Sequence, residues 1–573
     1  MVRHSLRRPL AGLAAFALLL AACRDQGGRS AARAPAGEVP DSLRYGGTVT
    51  VGSYSDLQTM NSLVTVDANS DIVQRNLMFL TLVDYDAKLN PVPRLAERWD
   101  TVRVKPDTLE LTFHLRGDVR WHDGQPVTAR DVAFTYLRAR DPATGYPNAS
   151  NFTFYDPRPV VVDDRTIRFR FRAHSDFLDS WYVLAPMPEH LLGRVPPAEL
   201  ANHPFGTRAP VGNGPFRFVR RTPGQEWVFE ANPAFPKALG GRPYIDRLVY
   251  RFVPEQTTLL TELLTGAVDL YLSANPAQAQ RISSSPRARL DASPGRQWNW
   301  IAWNERRPMF ADARVRRALT MAIDRRRIVD ALLFGYGAVG RSTVTPAHWS
   351  YDSTDVQTLL PYDSAGARRL LAEAGWQDRD GDGTLEDASG RPFRFTLKTN
   401  AGNQVRKDVI EMVQAQLARI GVRAEPRLVE WNTMAAQMTS PARDFDAIVN
   451  SWVDYFRKDD SDILLCRNRG RPYQVVSFCD PAADRMIDSL NVMTDRAAAA
   501  PLWRDYQHLI VQASPYTVLY YPRRLTGVSR RLHGVEMDVR SEFNTVGKWW
   551  IAPADRAAAA APPPPPPDTS RKR

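Results

Sequence analysis

The sequence predicts an α/β protein built from several domains, and three observations carry that prediction. Strand-like and helix-like segments alternate along the body of the chain instead of falling into separate blocks. Residues 393–429 read in order as strand, helix and strand, the pattern of a βαβ unit. The chain has 573 residues, 43% of them apolar, which supports three or four domains of roughly 150 residues each.

The N-terminus reads as an export signal. Arg3, Arg7 and Arg8 precede an apolar run over 10–22 that is too short to span a bilayer as a mature helix. Its end, Leu20-Ala21-Ala22-Cys23, resembles a bacterial lipobox, which implies a 1–22 signal peptide and diacylation of Cys23. The alternative is an ordinary signal peptide with a chance cysteine. Residues 23–45 are rich in Gly, Ala, Pro and Ser and read as a tether. Residues 553–573 contain six consecutive prolines and read as a disordered tail.

Charge excludes one class of partner. Lys and Arg total 75 against 63 Asp and Glu, a formal +12, but the two ends supply half of the excess. No Lys/Arg run of nucleic-acid-binding length lies in the body. No nucleic-acid partner is expected.

The elements of the body follow in order. TVTVG at 48–52 is a short β-branched strand. TLELTFHL at 108–115 alternates with period two and leads to the turn Trp121-His122-Asp123-Gly124. Thr128 and Asp131 have capping-box spacing and open a helix through Arg138. RTIRFRFR at 165–172 is an amphipathic strand. Gly212, Gly214 and Pro215 suit a backbone that reverses between domains, and Gly266 suits a helix end. Residues 312–333 predict one long helix, with Val315, Leu319, Ala322 and Ile323 at 3–4 spacing. A strand at 393–398, a helix at 407–420 and strands at 422–429 and 447–451 complete the pattern.

Two cysteines remain after Cys23. Cys466 and Cys479 lie thirteen apart in an exported chain and read as a local disulfide, with two buried thiols as the alternative. Asp378-x-Asp380-x-Asp382-Gly383 opens like a calcium loop, but Ser389 stands where a bidentate Glu is wanted and no helix follows. No metal and no cofactor are expected, Asp378, Asp380 and Asp382 being the one calcium candidate.

Seven segments then carry a resemblance. TLELTFHLRGDVRWHDGQPVTARDVAFTYLRARD, beginning at Thr108, resembles the signature region of the peptide-type solute-binding proteins of bacterial ABC importers, family 5. GGTVTVGSYSDLQTMNSL, LVDYDAKLNPVPRLAERWD, PVGNGPFRF, LLTGAVDL, MFADARVRRALTMAIDRRRIV and FDAIVNSW resemble further segments of that family in the same order. The resemblance implies a periplasmic-binding-protein-like fold of type II, large cluster C. Two α/β lobes would enclose a ligand cleft, with an extra inserted domain. Lobe I would comprise 46–75, 210–295 and 525–552, the inserted domain 76–209, and lobe II 296–524.

The resemblance further implies an extracytoplasmic, lipid-anchored monomer that takes up a peptide or another small solute and meets an ABC permease. Nickel complexes, oligosaccharides and opines stay open as ligands. In an α/β lobe, ligands meet loops at the carboxyl ends of strands. That rule selects Tyr54, Trp298, Trp300, Asn400, Asn403, Trp431, Trp452 and Asp454. Indole rings offer flat apolar walls, and Asn or Asp side chains orient a polar ligand. Asp454 resembles the aspartate that pairs with a peptide's α-ammonium group. Relatives read Trp-x-x-Asp-Tyr before a Pro-containing loop, whereas this chain reads Trp-x-Asp-Tyr and then Phe456-Arg457-Lys458-Asp459-Asp460.

Two other classes compete. A secreted enzyme finds no GxSxG, HExxH or P-loop to support it. A scaffold lipoprotein with a degenerate cleft draws on the shortened Trp-x-Asp loop.

Overall fold

A single twelve-stranded sheet runs through the computed structural model, which describes residues 40–454 and 456–556. Cys23, the signal peptide, most of the tether and the six consecutive prolines of the tail lie outside the described residues, as does Tyr455, while Pro553–Arg556, the start of the stretch expected to be disordered, is helical. Every element below belongs to the compact unit that starts at Ser42.

The sheet is continuous because one strand serves both lobes. Tyr516–Ser529 is fourteen residues long. Its first half pairs with Gln297–Trp303 and Gly337–Val339, and its second half pairs with Ala288–Pro294 and Leu270–Tyr271. The chain makes a second crossing between Pro294 and Gln297, where Ala288–Pro294 gives way to Gln297–Trp303. On the first lobe's side, Thr48–Ser53 runs parallel to Arg247–Phe252 and to Leu270–Tyr271. On the second, Arg394–Asn400 runs parallel to Arg423–Val429 and to Ala447–Val453. The helix Gln404–Ala418 connects the first two of these, forming the βαβ unit that the sequence predicts.

Both faces of the second lobe's sheet are covered. Ile301 and Trp303 point to one core with Val315, Leu319, Val413 and Leu417, while Trp298, Trp300 and Ala302 point to the other with Trp503, Tyr506 and Ile510. This period-two division of one strand between two cores is what an α/β/α sandwich requires. The first lobe shares a continuous core with the four-stranded antiparallel sheet Ala96–Lys105, Thr108–Leu115, Thr166–Arg172 and Val160–Asp163.

The capping box forms as expected, and Ala129–Arg140 is helical. Gly124 and Gly266 take positive φ, at 93° and 89°. One expectation is corrected. Residues 312–333 form two helices, Ala313–Ala322 and Arg325–Leu332. Asp324 breaks the run because its carboxylate accepts the backbone N–H of Arg327 and caps a new helix. Gly212 and Gly214, expected where the backbone reverses, are not among the glycines with positive φ. They are glycines because a Cβ there would lie 2.0 Å from the Met78 carbonyl oxygen and 2.4 Å from that of Leu77.

Candidate functional site

The site grows from two neighbouring strands. Gln297–Trp303 and Ala447–Val453 pair antiparallel with Trp298 opposite Trp452. The ladder continues one step further, where the Asp454 N–H donates to the Arg296 carbonyl at 2.9 Å. Asp454 therefore sits at the carboxyl end of its strand with its direction fixed by the sheet.

Asp454 is buried, at 9% exposure. Its Oδ1 accepts from Trp298 Nε1 at 3.2 Å and from Lys458 Nζ at 2.9 Å. Lys458 also donates to the Thr343 carbonyl at 2.8 Å and pairs with Asp460 Oδ1 at 2.9 Å. Its ammonium lies 5.3 Å from the centre of the Trp298 ring. Burial alone would lower the Lys458 pKa, but Asp454 and Asp460 more than reverse that and hold it above its usual value. Burial pushes Asp454 up, and Lys458 only partly opposes it. One ammonium thus serves two buried carboxylates, and Asp454 Oδ2 is buried with no donor to it among the described residues.

These groups line a cavity of about 370 Å³. Trp298, Trp452, Asp454, Arg457 and Lys458 come from the second lobe, and Asn151, Thr153, His174 and Asp179 come from the opposite wall. Arg457 Nη2 donates to Asn151 Oδ1 at 2.9 Å, while its Nη1 is buried without an acceptor among the described residues. Asp179 is fully buried, and desolvation raises its pKa to about 6. The cavity holds five carboxylates against two side-chain cations. Such a site favours a cationic group.

The eight ligand candidates divide. Trp298, Trp452 and Asp454 line this cavity together. Trp300 lies behind it, wholly buried, with its ring 5.7 Å from that of Trp452. Asn400, Asn403, Trp431 and Tyr54 do not line it. Asn403 caps Gln404–Ala418 by accepting the Arg406 N–H, and Asn400 accepts from Arg406 Nη1 at 2.7 Å. Trp431 opens a helix and is 47% exposed; Tyr54 is 44% exposed. Lys458, Arg457 and Asp179 were not among the candidates. The signal for the first two was the charged run after Asp454, which reads as a solvated loop unless the strand pairing is known.

Two further assignments have a structural description. Cys466 and Cys479 are bonded, with Cα atoms 4.5 Å apart. Carboxylate oxygens of Asp378, Asp380, Asp382 and Glu386 lie within 4.8 Å of one another. Backbone amides already engage them: Asp378 accepts from Gly381 and Gly383, Asp380 from Asp382, Asp382 from Thr384, and Glu386 from Arg379. That pattern of side-chain-to-backbone bonds organises a hairpin loop. Among the described residues, no helix is long and apolar enough to cross a membrane.

Residues 90–471 match the family of bacterial extracellular solute-binding proteins, family 5 Middle. The oligopeptide-binding protein AppA of Bacillus subtilis is 31% identical over 551 residues, which cover 95% of this chain and 98% of that protein. The chain belongs to family 5. The structure of AppA in complex with a nonapeptide superposes with a TM-score of 0.73 at 30% identity, covering 89% of this chain and all of the other. Heme-binding protein A of Haemophilus influenzae is 28% identical over 468 residues, 77% of this chain and 81% of that one. This family 5 member therefore has the type II binding-protein fold, and its family is one of solute-binding proteins rather than enzymes. Its relatives include peptide-binding proteins of ABC transporters.

Proposed function

We propose that this protein is a lipid-anchored, monomeric receptor that captures peptides in the Asp454 cavity and delivers them to an ABC permease. Its lobes and inserted domain would follow the 46–75, 210–295 and 525–552, 76–209, and 296–524 division, with Cys23 carrying the lipid. One observation carries the ligand assignment: Asp454, whose buried Oδ2 has no donor among the described residues, lines a cavity with excess negative charge. A peptide α-ammonium supplies the missing donor and charge. Arg457 lines the same cavity, and its Nη1, without an acceptor among the described residues, would take a backbone carbonyl, so the peptide would be held by groups common to every sequence. Similarity to AppA, which is named for oligopeptide binding, supports the same reading.

Native mass spectrometry of freshly purified protein tests it. A retained mixture of peptide masses is expected, and Asp454→Asn should lose it. An Asp454→Asn protein that keeps the same mixture at the same occupancy would remove the role of Asp454.

A second reading draws on one observation. Lys458 already gives Asp454 an internal ammonium partner, as a cleft that no longer takes ligand would. Under that reading no peptide pool raises the melting temperature.

A further inference from the structure

A second set of contacts holds the two walls of the Asp454 cavity together from outside it. His174 and Asp179 line the cavity on the wall opposite the second lobe. Between them in the chain, Ser175 and Asp176 bond to the second lobe directly. The Ser175 N–H donates to the Asn491 carbonyl at 2.7 Å. Asp176 Oδ1 accepts from Arg496 Nε and pairs with its Nη2, both at 2.8 Å. Asp176 Oδ2 accepts from Trp349 Nε1 at 3.2 Å. Arg496 Nη1 donates in addition to the Leu89 carbonyl at 2.8 Å, in the turn between Val83–Tyr85 and Pro91–Pro93. One guanidinium thus ties two separate loops to the second lobe.

Both sides of this junction are firmly held. Arg496 opens the helix Arg496–Ala513, whose Trp503, Tyr506 and Ile510 share a core with Trp298 and Trp300. Its guanidinium lies 5.2 Å from the centre of the Trp349 ring. Asp176 and Leu89, the two residues it grips, both have left-handed backbones, with φ of 43° and 60°. Such conformations are costly for residues other than glycine and persist where the surroundings impose them. The side chains of Arg496 and Asp176 are 27% and 10% exposed, so the pair is screened less than one on the open surface. Asp176, Trp349, Asn491 and Arg496 do not line the cavity.

We propose that Arg496 is a clasp that keeps the cavity closed, setting how long a peptide is retained without touching it. The proposal rests on the peptide reading above and deepens it. Asp176 and Arg496 are 320 residues apart in the chain, and a peptide enters when the walls they belong to part. The contacts of Arg496, Trp349 and Asn491 with the opposite wall exist only when the walls meet. They favour the closed form and oppose reopening. Arg496 is a positioning residue, and its effect falls on dissociation.

Stopped-flow measurements with alanine peptides of increasing length test the clasp, with Trp298 and Trp452 in the cavity as fluorescent reporters. Arg496→Met keeps an apolar stem and loses every donor. Its dissociation rate should rise about tenfold, with the association rate changed by less than about threefold. Arg496→Lys keeps the charge and should fall between Arg496→Met and the wild type. Asp176→Asn should speed dissociation alone, yet add little on top of Arg496→Met, because the two substitutions break the same pair. If circular dichroism shows Arg496→Met to be unfolded, Arg496→Lys and Asp176→Asn decide by the same rate. Peptide still bound, with dissociation within about twofold of the wild type in every folded variant, would overturn the clasp and leave the peptide reading standing. A wild-type protein that binds no peptide of any length would overturn the peptide reading and the clasp with it.

Discussion

Replacing Lys458 with Met removes the one cation that two buried carboxylates share. The side chain keeps its length and apolar stem, so packing against Trp298 changes little, while three contacts are lost at Asp454, Asp460 and the Thr343 carbonyl. Lys458 is 3% exposed in its side chain, and its partners are 9% and 2% exposed, so water does not replace it readily. Breaking a buried pair by removing one partner costs about 3–5 kcal/mol. Equilibrium denaturation followed by tryptophan fluorescence reads this loss. The loss should be largest at neutral pH and shrink as pH falls, because burial pushes the Asp454 carboxyl up and its protonation removes uncompensated charge. Adding Asp454→Asn should restore part of the lost stability. A loss below about 1 kcal/mol, the range of an exposed pair, or one independent of pH, would refute the claim that these charges are buried and interdependent.

Three further outcomes are expected. Gly212→Ala places a Cβ against the Met78 carbonyl, which accepts the N–H groups of Asn213 and Gly214; a loss of several kcal/mol, or no soluble protein, should appear in thermal melts, and a neutral result would contradict the close approach. Cys466→Ser with Cys479→Ser opens a bridge across a separation of thirteen residues, and denaturant titration should show a loss of about 3 kcal/mol. His122 and His348 are both held near pKa 4, chiefly by burial. A depressed pKa adds stability that is complete above the unfolded value of about 6.5 and is lost as pH falls through 4, roughly 3 kcal/mol for each histidine. Stability measured between pH 7 and 4 should therefore fall, and His348→Gln should flatten that fall.

The fold was legible where local chemistry and tertiary context agree. Alternation at 108–115 and the Thr128–Asp131 box each have one physical solution, and the strands and helix of 393–429 appear within two or three residues of expectation. Asp324 was hidden because a carboxylate within a helical period looks like an exposed interior position until its side chain turns back to an amide. The glycines at 212 and 214 were recognisable as special, but the reason lies in residues 77 and 78, far away in sequence.

The site was legible in part. Trp298, Trp452 and Asp454 meet because strand pairing puts them in register. Asn400 and Asn403 were drawn in by the same rule about strand ends, yet an asparagine that caps a helix and one that binds a ligand look alike in sequence. Lys458 was passed over because charge runs are normally solvated, and only the burial of Asp460 and Thr343 around it turns the run inward.

The central claim is that the protein recognises a peptide by its free ammonium at Asp454, and one comparison tests it directly. The affinity of a short peptide is measured by calorimetry beside that of the same peptide with its N-terminus acetylated. Acetylation removes the charge and leaves Asp454 Oδ2 without its donor, so binding should weaken by at least about a hundredfold, as a buried charge partner worth roughly 3 kcal/mol requires. Equal binding of the two peptides would contradict the claim.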